Sequence, residues 1–355
     1  MESNYKENPF IVIWEITRAC ALKCLHCRAE AQHLRDPREL TTEEGKELIN
    51  QIYEMDNPLL VFTGGDPLMR EDLYELIEYA VQKGVRVSMT PSATPRVTKK
   101  AIEKVKAAGL SRWAFSLDGP TKEIHDHFRG TKGSFDLTMK AIRHLHELGM
   151  PIQINTVVSH YNVNELKDMA KLMEQLETVL WSVFFLVPTG RASNMEPISP
   201  ERHEEVLHWL AEVKETSSFD IKTTEAPHFR RVLLQRQSKK TKKAEGRKKH
   251  DILGRAPKGV NDGNGFLFIS HLGDVFPSGF LPIHCGNVRE EPLAKIYREH
   301  PVFTQLREPD LFKGKCSVCE YRHICGGSRA RAFAITGDYL QAEPYCIYVP
   351  KRKRV

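Results

Sequence analysis

The sequence predicts an α/β fold: a partial parallel barrel of six strand–helix units followed by a small α+β domain. Three observations predict it. Strand-like and helix-like segments alternate with a repeat of about 30 to 40 residues through the first half of the chain, as the βα units of a parallel sheet do. The texture changes at Gly265, where "GFLFISHLGDVFPSGF" reads as a hairpin turning at Gly273-Asp274. The eight cysteines form two groups, Cys20, Cys24, Cys27 and Cys285, Cys316, Cys319, Cys325, Cys346, with none between them.

The elements follow in order. "FIVIW" is a short apolar strand leading into the first cysteine group. "LTTEEGKELINQIYEM" has a Thr-x-x-Glu start and helical apolar spacing, and "PLLVFTGG" is a buried strand ending in glycines. "REDLYELIEYAVQKG" is a helix stopped by Gly84, and "VRVSMTPSA" is the next strand. Helix "TKKAIEKVKAAG", strand "RWAFSLDG", helix "SFDLTMKAIRHLHELG" and strand "PIQINTVVS" continue the alternation. Helix "NVNELKDMAKLMEQL" and strand "WSVFFLVPTG" complete it. Six units are too few for a closed eight-stranded barrel, which takes about 250 residues, so the barrel is open. The chain divides into the barrel (1–192), a helical connection with a basic loop (193–262) and the second domain (263–355). In parallel α/β folds chemistry gathers where strands end. The cysteine trio, "TGGDPL", "TPSATP", "FSLDG", "INTVV" and "VPTGRA" all fall at strand ends, and should converge.

Composition excludes some classes. The longest apolar runs, such as "WSVFFLV", fall far short of the ~20 residues of a membrane span. "MESNYKENPF" lacks the basic and apolar regions of a secretory signal, so the expected compartment is the cytoplasm, where thiols stay reduced. The formal charge of +6 hints at nucleic acid, but residues 236–258 alone carry ten Lys or Arg against one Glu and one Asp. The rest of the chain is slightly acidic, which argues against a nucleic-acid binder. The basic run reads as a solvated loop, or as one that meets an acidic partner.

In a reduced compartment clustered cysteines read as metal ligands. Four thiolates close a zinc site or fill a [4Fe-4S] cluster. Three thiolates fit zinc with His26 as fourth ligand, or a cubane with one iron left open to a small molecule. Both readings of Cys20-x3-Cys24-x2-Cys27 stand on spacing alone.

The trio after the first strand resembles the signature of the radical S-adenosylmethionine (SAM) superfamily, and companion motifs follow in the family's order. "GGDP" (Gly64, Gly65, Asp66, Pro67) resembles its GGEP motif, with Asp66 where Glu is commoner. "FSLDGPTKEIHDHFRG" resembles its strand-four motif. The resemblance implies SAM contacts at these four residues and at Thr90, Ser92, Ser116, Asp118, Arg129 and Asn155. It also implies reductive cleavage of SAM to a 5′-deoxyadenosyl radical that abstracts a substrate hydrogen. Cys316-x2-Cys319-x5-Cys325-x20-Cys346 resembles the SPASM/Twitch extension, implying a second, auxiliary [4Fe-4S] cluster and making the C-terminal domain an iron–sulfur domain. A bare zinc knot is the alternative for these four, and Cys285 reads as a buried thiol or a further ligand.

Finer resemblance, in "FTGGDPL", "VPTGRA" and "KCSVCEYRHICGGSRARAFAITGDYL", points to the alternative haem-biosynthesis branch, whose members tailor tetrapyrrole side chains. A flavodoxin or ferredoxin would be the reducing partner. The arginines of "SRARA" and the basic loop are expected to pair with propionates. His125, His127, His271, His284 and His323 are candidate haem-iron ligands. The rival readings are a maturase acting on a ribosomally made peptide and a metal-cluster RNA-binding protein, the latter suggested by the basic loop and the "KRKRV" tail.

Overall fold

The computed structural model describes residues 5–241 and 259–351. Most of the basic run 236–258 and the last four residues of "KRKRV" lie outside the described residues. The elements are β1 (Ile11–Glu15), α1 (Thr42–Glu54), β2 (Leu59–Thr63), α2 (Leu73–Gln82), β3 (Val87–Met89), α3 (Lys99–Ala107), β4 (Arg112–Ser116), α4 (Lys122–Arg129) and α5 (Ser134–Glu147). β5 (Ile152–Val158), α6 (Leu166–Gln175), β6 (Leu180–Phe185), α7 (Pro200–Thr216), β7 (Asp220–Thr224) and α8 (His228–Thr241) follow. The remainder holds β8 (Phe266–Ile269), β9 (Val275–Phe276), α9 (Leu293–Glu299), α10 (Pro301–Leu306) and α11 (Arg329–Thr336).

The strands form one sheet in the order β7-β6-β5-β4-β3-β2-β1-β8-β9, parallel throughout except for β8–β9. Helices cover one face. Trp14, Phe62, Met89, Trp113, Phe115, Ile154 and Trp181 are all fully buried, and form the core between sheet and helices. Local chemistry sets the units. Thr41 caps α1 by accepting from the Glu44 backbone N–H at 3.2 Å, while its own N–H donates to the Glu44 carboxylate at 2.8 Å.

Two features depart from the sequence expectation. The segment between residues 193 and 262 is not wholly helical, because β7 extends the barrel beyond β6 with its residues in register from Leu180↔Asp220 to Phe184↔Thr224. The expected hairpin forms, but β8 also pairs in parallel with β1, Ile11↔Phe266 through Trp14↔Ile269. The C-terminal region is thus built onto the barrel's own sheet. The partial barrel has seven parallel strands from β1 to β7, and β8 adds an eighth at the opposite edge.

Candidate active site

The C-terminal ends of the strands surround a cavity of about 400 Å³. Cys20, Cys24 and Cys27 line it together with Gly64, Gly65, Thr90, Ser92, Ser116, Arg129 and Asn155. Residues separated by up to 135 positions are brought to one wall because each follows or ends a parallel strand.

The cysteine loop is held from several sides. Cys20 Sγ lies 3.4 Å from Ser92 Oγ, and Ser92 Oγ donates to the Gly65 carbonyl at 2.9 Å. The Leu22 N–H donates to Cys20 Sγ at 3.3 Å and the Ala31 N–H to Cys27 Sγ at 3.5 Å. The glycine pair has a packing role. A Cβ on Gly64 would stand 2.3 Å from the Thr17 carbonyl oxygen, and one on Gly65 2.4 Å from that of Ala19. The bare backbone there lets the strand leading to the cysteines pass, and the Gly65 and Asp66 N–H groups donate to Thr17 and Ala19 at 2.8 and 2.7 Å.

Asp66, Pro67 and Asp118 are not among the residues that border the cavity. Asp66 is fully buried, accepting from the Leu68 N–H and from the Thr94 hydroxyl, and burial pushes its carboxyl up to about 6. Pro67 opens a short 3-10 turn behind the glycines. Asp118 is fully buried too. It pairs with Arg129 Nη2 at 2.7 Å and accepts from the Val157 N–H at 2.7 Å. Against the effect of burial, Asp118 and Cys24 hold the Arg129 guanidinium firmly charged, and its Nη1 donates to Cys24 Sγ at 3.6 Å.

His26 also lines the cavity. Its ring stacks on Phe128 at 4.1 Å, and burial together with the nearby Arg129 and Arg191 keeps it neutral. The five histidines suggested as haem-iron ligands do not border the cavity. His125 is buried, accepts from the Asp118 N–H, and is lowered to about 3, chiefly by burial. His271 lies 3.2 Å from Glu15, His284 faces Asp274, His323 lies near Asp310, and His127 packs on Tyr161.

Cys316, Cys319, Cys325 and Cys346 ring a second, smaller cavity with His228, Arg231 and Lys315 on its wall. His228 ion-pairs with the buried Glu343, which lifts His228 to about 9 against the effect of burial. His228 and Lys315 hold the Cys346 thiol below its ordinary range despite burial. The arginines of "SRARA" are interior. Arg329 donates to the Tyr339 and Gln341 carbonyls and reaches Cys316 Sγ at 3.9 Å. Arg331 pairs with Glu343 at 3.4 Å and donates to the Phe185 carbonyl. Neither borders the main cavity. Cys285 is buried away from both sets. Its Sγ donates to the Ile283 carbonyl and burial pushes it up to about 12.

The donor chemistry suits iron–sulfur clusters. Each set offers thiols around a space rather than at a point. Among the described residues no three Cys, His, Asp or Glu side chains could hold a single metal ion. A four-iron cube takes its thiolates at its corners, a wider spread than tetrahedral zinc with bonds of about 2.3 Å.

Sequence reasoning missed much of the cavity's lining. Lys222, Thr223 and Thr224 of β7, then Glu225 and Arg230, contribute polar groups to it. Phe10, Phe184, Phe266, Phe268 and Phe280 contribute aromatic ones. No described helix is long and apolar enough to cross a membrane.

Residues 14–173 match the family model of the radical SAM superfamily. The chain is 42% identical to the AdoMet-dependent heme synthase of Methanosarcina barkeri, covering 97% of this chain and 98% of that protein. It is 44% identical to the protein of the same name from Nitratidesulfovibrio vulgaris, over 96% and 93%. The fold resembles the crystal structure of Streptococcus suis SuiB bound to S-adenosylmethionine, with a TM-score of 0.71 at 15% identity, covering 96% of this chain and 78% of that one. With its three-thiol cavity at the strand ends and full-length similarity of this degree, the chain belongs to the radical SAM superfamily, in the branch that holds the AdoMet-dependent haem synthases.

Proposed function

We propose that this chain converts propionate side chains of an iron porphyrin, as the resemblance to the haem-biosynthesis branch implies, using two [4Fe-4S] clusters. The observation that carries this reading is the main cavity. Its lining combines the cysteine trio with aromatic side chains and with cationic and hydroxyl groups. A broad apolar ring edged with carboxylates matches that distribution.

Cys20, Cys24 and Cys27 would hold the first cluster, which when bound supplies the electron that cleaves SAM to a hydrogen-abstracting radical. The protein's own part is to place and to exclude. Gly64 and Gly65 bring the cysteine loop against β2, and Ser92 ties Cys20 to that same turn. Arg129, anchored by Asp118, presents a fixed positive charge beside Cys24, suited to the SAM carboxylate. Ser116, Thr90 and Asn155 offer hydroxyl and amide contacts for its ribose and amine. Asp66 and Pro67 act only through the turn they build. The enclosing side chains would keep competing C–H and S–H hydrogen donors away from the radical.

Cys316, Cys319, Cys325 and Cys346 would hold the auxiliary cluster, in a region joined to the barrel through β8. A flavodoxin or ferredoxin would deliver the reducing electron, in the cytoplasm. Each propionate that becomes a vinyl group loses one hydrogen atom, one CO₂ and one electron, so an electron acceptor near the substrate is required. The quartet supports that role.

The test is anaerobic turnover. Reconstituted chain with SAM, dithionite and iron coproporphyrin III is expected to give 5′-deoxyadenosine together with haem. No 5′-deoxyadenosine above a Cys24→Ala control overturns the radical reading, and 5′-deoxyadenosine with no porphyrin product overturns the substrate.

A further inference from the structure

Three guanidinium groups border the main cavity, and two of them pair with a carboxylate. Arg28 Nη2 lies 2.6 Å from Glu15 and Arg129 Nη2 lies 2.7 Å from Asp118. Arg230, in the first turn of α8, is 8% exposed. Its Nη1 and Nη2 donate to the Ile324 and Val260 carbonyls at 3.1 and 2.5 Å, and its Nε has no partner. Among the described residues no carboxylate lies within ion-pair distance of it. Burial lowers its pKa, while the nearby Cys325 and Tyr5 act to raise it.

The nearby carboxyls are committed elsewhere. Asp262 Oδ2 accepts from the Arg329 and Ala330 N–H groups at the start of α11, both at 3.0 Å. Glu225 accepts from Ser328 Oγ at 2.5 Å, and burial and the facing Asp262 hold it well above the usual carboxylate range. Glu225 also sits at φ 57, a conformation a side-chain-bearing residue rarely adopts, which fixes the chain between β7 and α8. Lys222 borders the same cavity.

We infer that Arg230 and Lys222, which both border the cavity, form the subsite that receives one carboxylate of the substrate, giving Arg230 the carboxylate partner that Arg28 and Arg129 already have. The subsite rests on the tetrapyrrole reading above. It replaces the "SRARA" arginines as the anchor.

The test titrates iron coproporphyrin III and its tetramethyl ester into cluster-loaded wild type, Arg230→Gln and Lys222→Gln. Binding is followed by the porphyrin absorption band, and iron per chain is counted for each protein. The acid is expected to bind about tenfold or more weakly to Arg230→Gln, and less weakly but measurably so to Lys222→Gln. The ester should bind all three alike. Equal acid affinities overturn the subsite. So does an equal loss for acid and ester, which marks a distorted cavity. Loss of iron in Arg230→Gln assigns that residue to the quartet through its contact beside Cys325, and also overturns it. If Arg230→Gln does not fold, Lys222→Gln decides by the same comparison of acid with ester. A wild type that binds neither porphyrin overturns the substrate reading itself, not the subsite alone.

Discussion

Arg129 Nη2 lies 2.7 Å from Asp118 Oδ2, with the Asp118 side chain fully buried and that of Arg129 11% exposed. Removing one member of such a pair leaves a buried charge without its partner. Asp118→Asn is expected to lower the stability of the apo chain by about 3 kcal/mol in urea denaturation. It should also reduce iron at the trio, because Arg129 loses the anchor that holds it beside Cys24. An unchanged denaturation midpoint would show that the pair is not structural.

The glycine pair makes a steric prediction. Gly64→Ala places a methyl 2.3 Å from a backbone oxygen, which no rotamer can relieve. The cysteine loop must shift, so trio iron is expected to fall while quartet iron stays. Iron counting with electron paramagnetic resonance separates the two. Full trio loading in Gly64→Ala would refute the close-approach account.

Asp66 gives a pH signature. Its folded value of about 6 lies above the ordinary carboxylate range, so the fold favours its neutral form. That contribution is complete below pH ~4, where unfolded Asp is also protonated, and is lost as pH rises through about 6. Relative to Asp66→Asn, wild type should therefore lose on the order of 2–3 kcal/mol between these values and then level off. A flat difference across that window contradicts the burial argument.

Cys285 is expected to be inert. Cys285→Ala should leave iron per chain unchanged and cost about 1–2 kcal/mol from the vacated buried volume. A loss of iron would make it a ligand after all.

Much of the barrel was legible because apolar periodicity reports which side of a helix or strand is buried. The turn after β2 was legible because Gly64, Gly65 and Pro67 punctuate it. What periodicity does not report is the partner. "DIKTT" has one buried side chain in five and no apolar run, so β7 is specified by its register with β6 and not by its own composition. The parallel pairing of β8 with β1 is equally silent in either segment. The "SRARA" arginines misled because arginine is usually exposed. There, a run of backbone carbonyls and Glu343 enclose them. Arg230 carries no motif at all. Its importance appears only when the guanidinium groups around one cavity are matched with carboxylates and one is left over.

The β1–β8 pairing joins residues about 250 positions apart, Ile11 to Phe266. During synthesis the outer edge of the first strand therefore stays unpaired until Phe266 has been made, long after the trio. The lining that Phe266 and Phe268 supply is added to a half-shell that already carries Cys20, Cys24 and Cys27.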